Sequence, residues 1–191
     1  MAREVLRTKT FASDAANFIL RRARESLDER QQFRIALSGG NTPRSVYAEM
    51  ARCDLPWEKF LFTFGDERCV PPENDESNFR MADEALFQPA FVPDSSILRM
   101  RGEIEPVLAA KEYEAQLDVL AAKRGEKIYE HDLILLGLGD DGHTARAVCF
   151  LIGANKDPKL IKRIFSGDPA LPAARVDQNA KSVTWIIEQK S

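Results

Sequence analysis

The chain has 191 residues, 44% apolar and 30% charged, with 27 basic against 30 acidic side chains and a formal net charge of -3. That is enough for one domain with a sizeable core and short for two, and it lacks the basic excess that nucleic-acid binding draws on. No run approaches the roughly 18–20 apolar residues that span a bilayer, and the start, MAREVLRTKTF, lacks the apolar stretch of a secretory signal. The expectation is a cytoplasmic protein with no membrane or nucleic-acid partner. Cys53, Cys69 and Cys149 lie far apart with no CxxC, which predicts free thiols and neither a zinc site nor a disulfide frame.

In chain order, residues 5–11 read as a short strand. Ser13 is a suitable N-cap, and Ala15, Phe18, Ile19, Ala23 and Leu27 recur at helical spacing, predicting a helix over 14–30. Residues 33–37 form a short apolar run that stops at Ser38-Gly39-Gly40, and a helix starts near Pro43. Residues 61–64 predict a strand ending at Gly65-Asp66-Glu67-Arg68. Ser77 is placed to cap a helix through Ala85, residues 97–100 to form an edge strand, and a helix follows Pro106. Residues 132–137 predict the most apolar strand, running into Gly139-Asp140-Asp141-Gly142-His143. Residues 147–152 are apolar again, 158–165 predict a helix stopped by Gly167, and 183–187 a last strand. Strands alternating with helices, and reading as continuous apolar runs, predict an α/β fold with a mostly parallel sheet.

Three polar clusters follow three of these strands, at the ends where ligands bind in open α/β sheets. In Ser38–Pro43, two glycines permit a tight turn and close backbone approach. The helix start beyond them offers free N–H groups to a phosphate, and Ser38 and Thr42 add hydroxyls. The run is neither a P-loop nor GxGxxG, so no nucleotide is indicated, and it also reads as a plain strand-to-helix connector. Asp66-Glu67-Arg68 reads either as surface or as side chains entering the crevice, where Arg68 would hold an oxyanion or carboxylate and Asp66 would orient a base or bind a sugar hydroxyl. In Asp140–Thr144, His143 is one of only two histidines. It reads as a general base for water with Asp141 as the carboxylate that holds its tautomer, or as an incidental histidine in a polar turn. His131 precedes its strand, on the opposite side of the sheet, and reads as structural; Trp57 and Trp185 read as packing.

The stretches IALSGGNTPRSVY, FTFGDERCVPPENDESN and DLILLGLGDDGHTA, with VCFLIGANKDPKL, DPALPAARV and VTWIIE after them, resemble the 6-phosphogluconolactonase family over nearly the whole chain. The DERxVP…SN segment separates that family from the related glucosamine-6-phosphate deaminases, which share SGGxTP and DGH. The resemblance implies a Rossmann-like three-layer sandwich, no cofactor, no metal, and hydrolysis of 6-phosphogluconolactone in the pentose phosphate pathway. It implies a phosphate held by Ser38, Gly39, Gly40 and Thr42 with Lys156 and Arg44. It further implies His143 as base beside Asp141, and Asp66 and Arg68 at the lactone end. The partner it implies is a phosphorylated sugar lactone; composition gives no account of oligomeric state, and a monomer is favoured.

After GDDGHTA the family continues with a Ser-Leu-Phe-Pro-like stretch, further strands and a helix, whereas this chain passes directly to Arg146-Ala147-Val148. Parallel neighbours need a crossover of about a dozen residues or more, and only 138–146 separate these two strands. Either the strands pair as an antiparallel hairpin, or a block is missing between Ala145 and Arg146 of the single domain 1–191. The alternatives to a lactonase are a catalytically silent sugar-phosphate-binding domain and a deaminase-like isomerase. The isomerase needs an acid/base carboxylate soon after the DGH loop, and 145–153 supplies none.

Overall fold

A computed structural model describes residues 2–137, 147–179 and 182–189. The strands are β1 (Ala2–Thr8), β2 (Phe33–Leu37), β3 (Phe60–Phe64), β4 (Leu133–Leu136), β5 (Ala147–Ile152) and β6 (Ser182–Glu188). They form one sheet in the order β1-β6-β5-β4-β2-β3, and every described pair is parallel. The helices are α1 (Phe11–Arg30), α2 (Asn41–Met50), α3 (Asn78–Ala82), α4 (Pro106–Ala122), α5 (Pro158–Phe165) and α6 (Pro172–Asn179), with a π-helical turn at Asp83–Phe87 continuing α3.

Side chains alternate between the two faces of each strand, and the core divides accordingly. One face carries Phe33, Ile35, Leu37, Phe60, Phe62, Phe64, Leu133, Leu135, Cys149 and Leu151, packed under α1, α2 and the π-helical turn. The other carries Val148, Phe150, Ile152, Val183, Trp185 and Ile187 under α5 and α6, and Leu61 with Ala121 and Tyr129 beside α4. This is the three-layer α/β sandwich the alternating pattern predicts. Trp57 and Trp185 are both core, as expected; Trp185 stacks on Phe150 at 3.9 Å and donates its indole N–H to Asp177. Among the described residues no helix is long and apolar enough to cross a membrane.

Some expectations shift. α1 begins at Phe11, not at Asp14, because the Asp14 carboxylate accepts from the hydroxyls of Thr8 and Thr10 and draws the helix start back to that turn; Ser13 lies inside it. Ser77 does cap α3, accepting from the Arg80 N–H at 3.2 Å. Residues 97–100 contribute only a single bridge, Ile97 to Phe62, since the turn before them is tied to Trp57 O by Ser96 Oγ. α6 carries no sequence signal beyond Pro172, and the last strand, β6, is interior, between β1 and β5.

β4 and β5 are parallel, Ile134 facing Val148 and Leu136 facing Phe150. That overturns the antiparallel-hairpin alternative. Both runs are apolar on both faces, which suits the interior of a parallel sheet and not a hairpin with one wet face.

At the N-terminal end of β2 and β4 a charged knot is buried. The Asp132 carboxylate accepts from the Arg34 N–H at 2.8 Å and Ser26 Oγ at 3.0 Å, and Arg30 meets it at 2.8 Å. The Arg34 side chain, 3% exposed, pairs with Glu126 at 2.7 Å and lies over the Tyr129 ring. Removing one partner of such a knot strands the rest without water. Asp132→Ala is expected to destabilise by about 3 kcal/mol, read as a lower urea midpoint at unchanged slope; an unchanged midpoint would show the knot to be energetically idle.

Candidate active site

The parallel sheet brings the C-terminal ends of β2, β3, β5 and β6 to one edge, and the first two predicted clusters, after β2 and β3, lie there. β2 ends in the Ser38–Thr42 loop. Gly40 has a φ of +102°, the left-handed region that favours glycine, and it occupies the N-cap of α2 without a side chain to cap the helix. The first N–H groups of α2 are therefore offered outward, with the positive end of the helix dipole behind them. Ser38 is 9% exposed, and its hydroxyl is buried beside the Tyr47 phenol.

Two tyrosines hold the strand ends behind these loops. Tyr47, on α2, accepts from the Ser38 N–H at 3.0 Å and donates to Ser38 O at 2.9 Å. Tyr113, on α4 across the sheet, does the same at the end of β3, accepting from the Phe64 N–H at 2.9 Å and donating to Phe64 O at 3.3 Å. Both must stay protonated to donate and accept at once. Burial ensures it, raising the Tyr47 phenol far above its ordinary range and pushing Tyr113 up to about 12.

Asn78 ties the first two loops together. Its side-chain amide donates to Asp66 O at 3.1 Å and Asp66 Oδ1 at 3.2 Å. Its carbonyl oxygen occupies the space a Cβ on Gly39 would need, so only glycine fits there. Glu67 does not enter the crevice. Its carboxylate accepts from the backbone N–H groups of Arg68 and Asn78 at 2.7 Å and of Phe79 at 2.9 Å, and from Ser77 Oγ at 3.2 Å, a favourable place for a negative charge at a helix start. The DER…SN pattern is thus a scaffold: Glu67 pins the start of α3, and α3 delivers Asn78 onto Gly39 and Asp66.

Ser38, Gly39 and Gly40 stand in one loop with Thr42 in the first turn of α2 beside them, and Asp66 is joined to them through Asn78. Arg68 is exposed beside Asp66. Lys156 lies in the turn after β5, which approaches the same loop: a Cβ on Gly153 would be 3.0 Å from Thr42 Oγ1. Thr42 and Gly153 line a cavity of about 630 Å³, and Gly153 and Lys156 an adjoining one of about 420 Å³. Arg44 stands apart, exposed and paired with Glu84 at 3.0 Å. Asp141 and His143 lie outside the described residues. His131, before β4, has its Nε2 2.7 Å from Thr63 Oγ1 and its ring edge-on to Tyr129. Tyr47, Asn78 and Glu188, which accepts from the Ala154 N–H at 2.9 Å, were not picked out from the sequence. Their signals are present: a tyrosine nine residues after Ser38, the Ser-Asn start of α3, and an acidic residue ending an apolar strand.

Fold and site together define a doubly wound α/β domain with a cavity between its β2–α2 loop and the turn after β5. Residues 7–146 match the family of glucosamine-6-phosphate isomerases/6-phosphogluconolactonase, and the chain belongs to that family. A 6-phosphogluconolactonase of Synechocystis sp. is 32% identical over 210 residues, covering 89% of this chain and 88% of the relative. One of Thermotoga maritima is 32% identical over 161 residues, covering 84% of this chain and 70% of the relative. The crystal structure of a Thermotoga maritima 6-phosphogluconolactonase superimposes with a TM-score of 0.84 at 23% identity, over 98% of this chain and all of that one, and shows the shared fold.

Tyr47→Phe leaves the Ser38 N–H and C=O without their buried partner. It is expected to cost about 1–3 kcal/mol of stability, measured by urea unfolding, and to weaken binding of a phosphorylated ligand at the adjoining loop, measured by calorimetry. Wild-type affinity in a destabilised variant would separate the tyrosine from the site.

Proposed function

We propose that this chain hydrolyses 6-phospho-D-glucono-1,5-lactone to 6-phosphogluconate. The observation that carries the reading is the start of α2, left without a side-chain cap at Gly40 and set beside the buried Ser38 hydroxyl, in a chain whose relatives bear the name 6-phosphogluconolactonase. In this reading the α2 N–H groups, Ser38 and Thr42 receive the phosphate, and Lys156 supplies a cation. The sugar extends toward Asp66 and Arg68, Asp66 accepting from a hydroxyl and Arg68 facing the oxygen that gains charge. His143 takes a proton from water as the water oxygen bonds to the lactone carbonyl. The tetrahedral intermediate then expels the ring oxygen, which receives that proton from the imidazolium, and Asp141 steadies the imidazole throughout.

A second reading is favoured by one observation. β4 and β5 are parallel neighbours joined through residues 137–146 alone, fewer than such a connection ordinarily uses. The Synechocystis match extends over 210 residues, more than the 191 of this chain, so the relative carries residues in the matched span that have no counterpart here. We place the missing block between Ala145 and Arg146, directly after the general base. In that case the chain is a sugar-phosphate-binding domain without turnover.

A coupled assay separates the two. 6-Phosphogluconolactone is generated in place and its loss compared with the spontaneous rate. Loss well above background, reduced by roughly two to four orders of magnitude in His143→Ala, is the lactonase outcome. Background loss from a folded chain that still binds 6-phosphogluconate is the outcome for the silent domain. Lys156→Ala is expected to raise KM for the phosphorylated lactone about tenfold with kcat nearly held, since a phosphate contact acts equally in ground and transition states; a fall in kcat at constant KM would move Lys156 to the reacting end.

A further inference from the structure

The turn that carries Lys156 is built around Glu188, the last residue of β6. Glu188 Oε2 accepts from the Ala154 N–H at 2.9 Å, and the Lys156 N–H closes the turn on Gly153 O at 3.2 Å. Gly153 is held between two groups from other elements. A Cβ there would be 3.0 Å from Thr42 Oγ1 on α2 and 3.8 Å from Glu188 Oε2 on β6. The ends of β5 and β6 and the start of α2 therefore meet at Gly153, and Glu188 lines both cavities, the one with Thr42 and the one with Lys156. A half-buried carboxylate beside an anion cradle repels the anion, so its presence calls for a compensating role. Accepting the Ala154 N–H is such a role: a charge-assisted hydrogen bond is shorter and stronger than a neutral one and fixes direction. The register of the sheet makes it rigid, since Glu188 is paired with Thr8 on one side and its strand with β5 on the other.

We propose that Glu188 is a positioning residue for the phosphate subsite: by holding the Ala154 amide it fixes the Gly153–Lys156 turn against Thr42 and so sets where Lys156 meets the phosphate. The inference rests on the phosphate reading of the preceding subsection. Its effect falls on affinity and runs through Lys156; Glu188 itself does not touch the ligand.

The test is calorimetric titration of 6-phosphogluconate into the full chain and its variants. Glu188→Ala is expected to raise Kd about tenfold. Glu188→Gln, whose amide oxygen still accepts the Ala154 N–H, is expected to stay within about threefold of wild type. In a Lys156→Ala background, Glu188→Ala should cost little more, because the two act on one contact and their effects do not add. Faster hydrogen exchange at the Ala154 amide should accompany the loss. If the wild-type chain shows no binding, the phosphate reading fails and this inference with it. If wild type binds and Glu188→Ala matches it, or the Glu188 and Lys156 effects add in full, the positioning role is overturned while the phosphate reading stands. Should Glu188→Ala not fold, Glu188→Asp decides, since it keeps the charge but withdraws it by one methylene: lost affinity supports the role, and wild-type affinity overturns it.

Discussion

Strands that all run one way cannot be joined by hairpins, so each return must cross a face of the sheet. In this chain that constraint does two things at once. It buries both faces under helices, which is why β2 and β3 are buried at every position. It also sends every strand's C-terminal end to the same edge, so residues far apart in sequence, such as Thr42, Asp66, Lys156 and Glu188, become neighbours along one rim. The site is a consequence of the strand direction before any side chain is considered.

What the side chains add is stiffness. Backbone at a strand end has lost its ladder partner, and a buried N–H or C=O there must find another. Tyr47 and Tyr113 supply one from opposite faces, each hydroxyl serving both backbone groups of a single residue. Asn78 then fills the space above Gly39 and joins that loop to Asp66, with Glu67 anchoring the helix that carries it. None of these groups needs to meet a ligand. They hold the loops at Ser38, Gly39 and Asp66 in place, with the Ser38 hydroxyl buried beside the Tyr47 phenol.

The parts legible in the sequence were those with local causes. Apolar runs gave β2 and β5 to the residue, and the glycine pair after β2 marked the turn into α2. Ser77 announced α3. The parts that were not legible depend on partners distant in sequence. Asn78 becomes a site residue only because α3 returns over β2, and Glu188 only because β6 lies beside β5 and not at the rim of the sheet. Glu67 looked equivalent to Asp66 in the Asp-Glu-Arg run; its carboxylate is consumed by four donors, three of them backbone N–H groups, and no one-dimensional pattern separates the two. Arg44, two residues after Thr42, is drawn to Glu84 on the π-helical turn.

Handedness says where a β4–β5 crossover belongs. Crossovers between parallel strands are right-handed almost without exception, so the direction of travel along the sheet selects the face. Moving from β1 to β2 and from β2 to β3, the chain advances toward the β3 edge and uses α1 and α2 on one face. Moving from β3 to β4 and from β5 to β6, it travels back and uses α4, α5 and α6 on the other. The β4-to-β5 step also travels back, so a helix in that connection falls on the second face. There the core is divided in two, one cluster under α5 and α6 and a smaller one beside α4, and Ala36 and Ile134, buried on the strands between them, belong to neither. The Synechocystis relative carries residues in the matched span without a counterpart here, and a helix added to the β4–β5 connection would fall on this second face, between those two clusters.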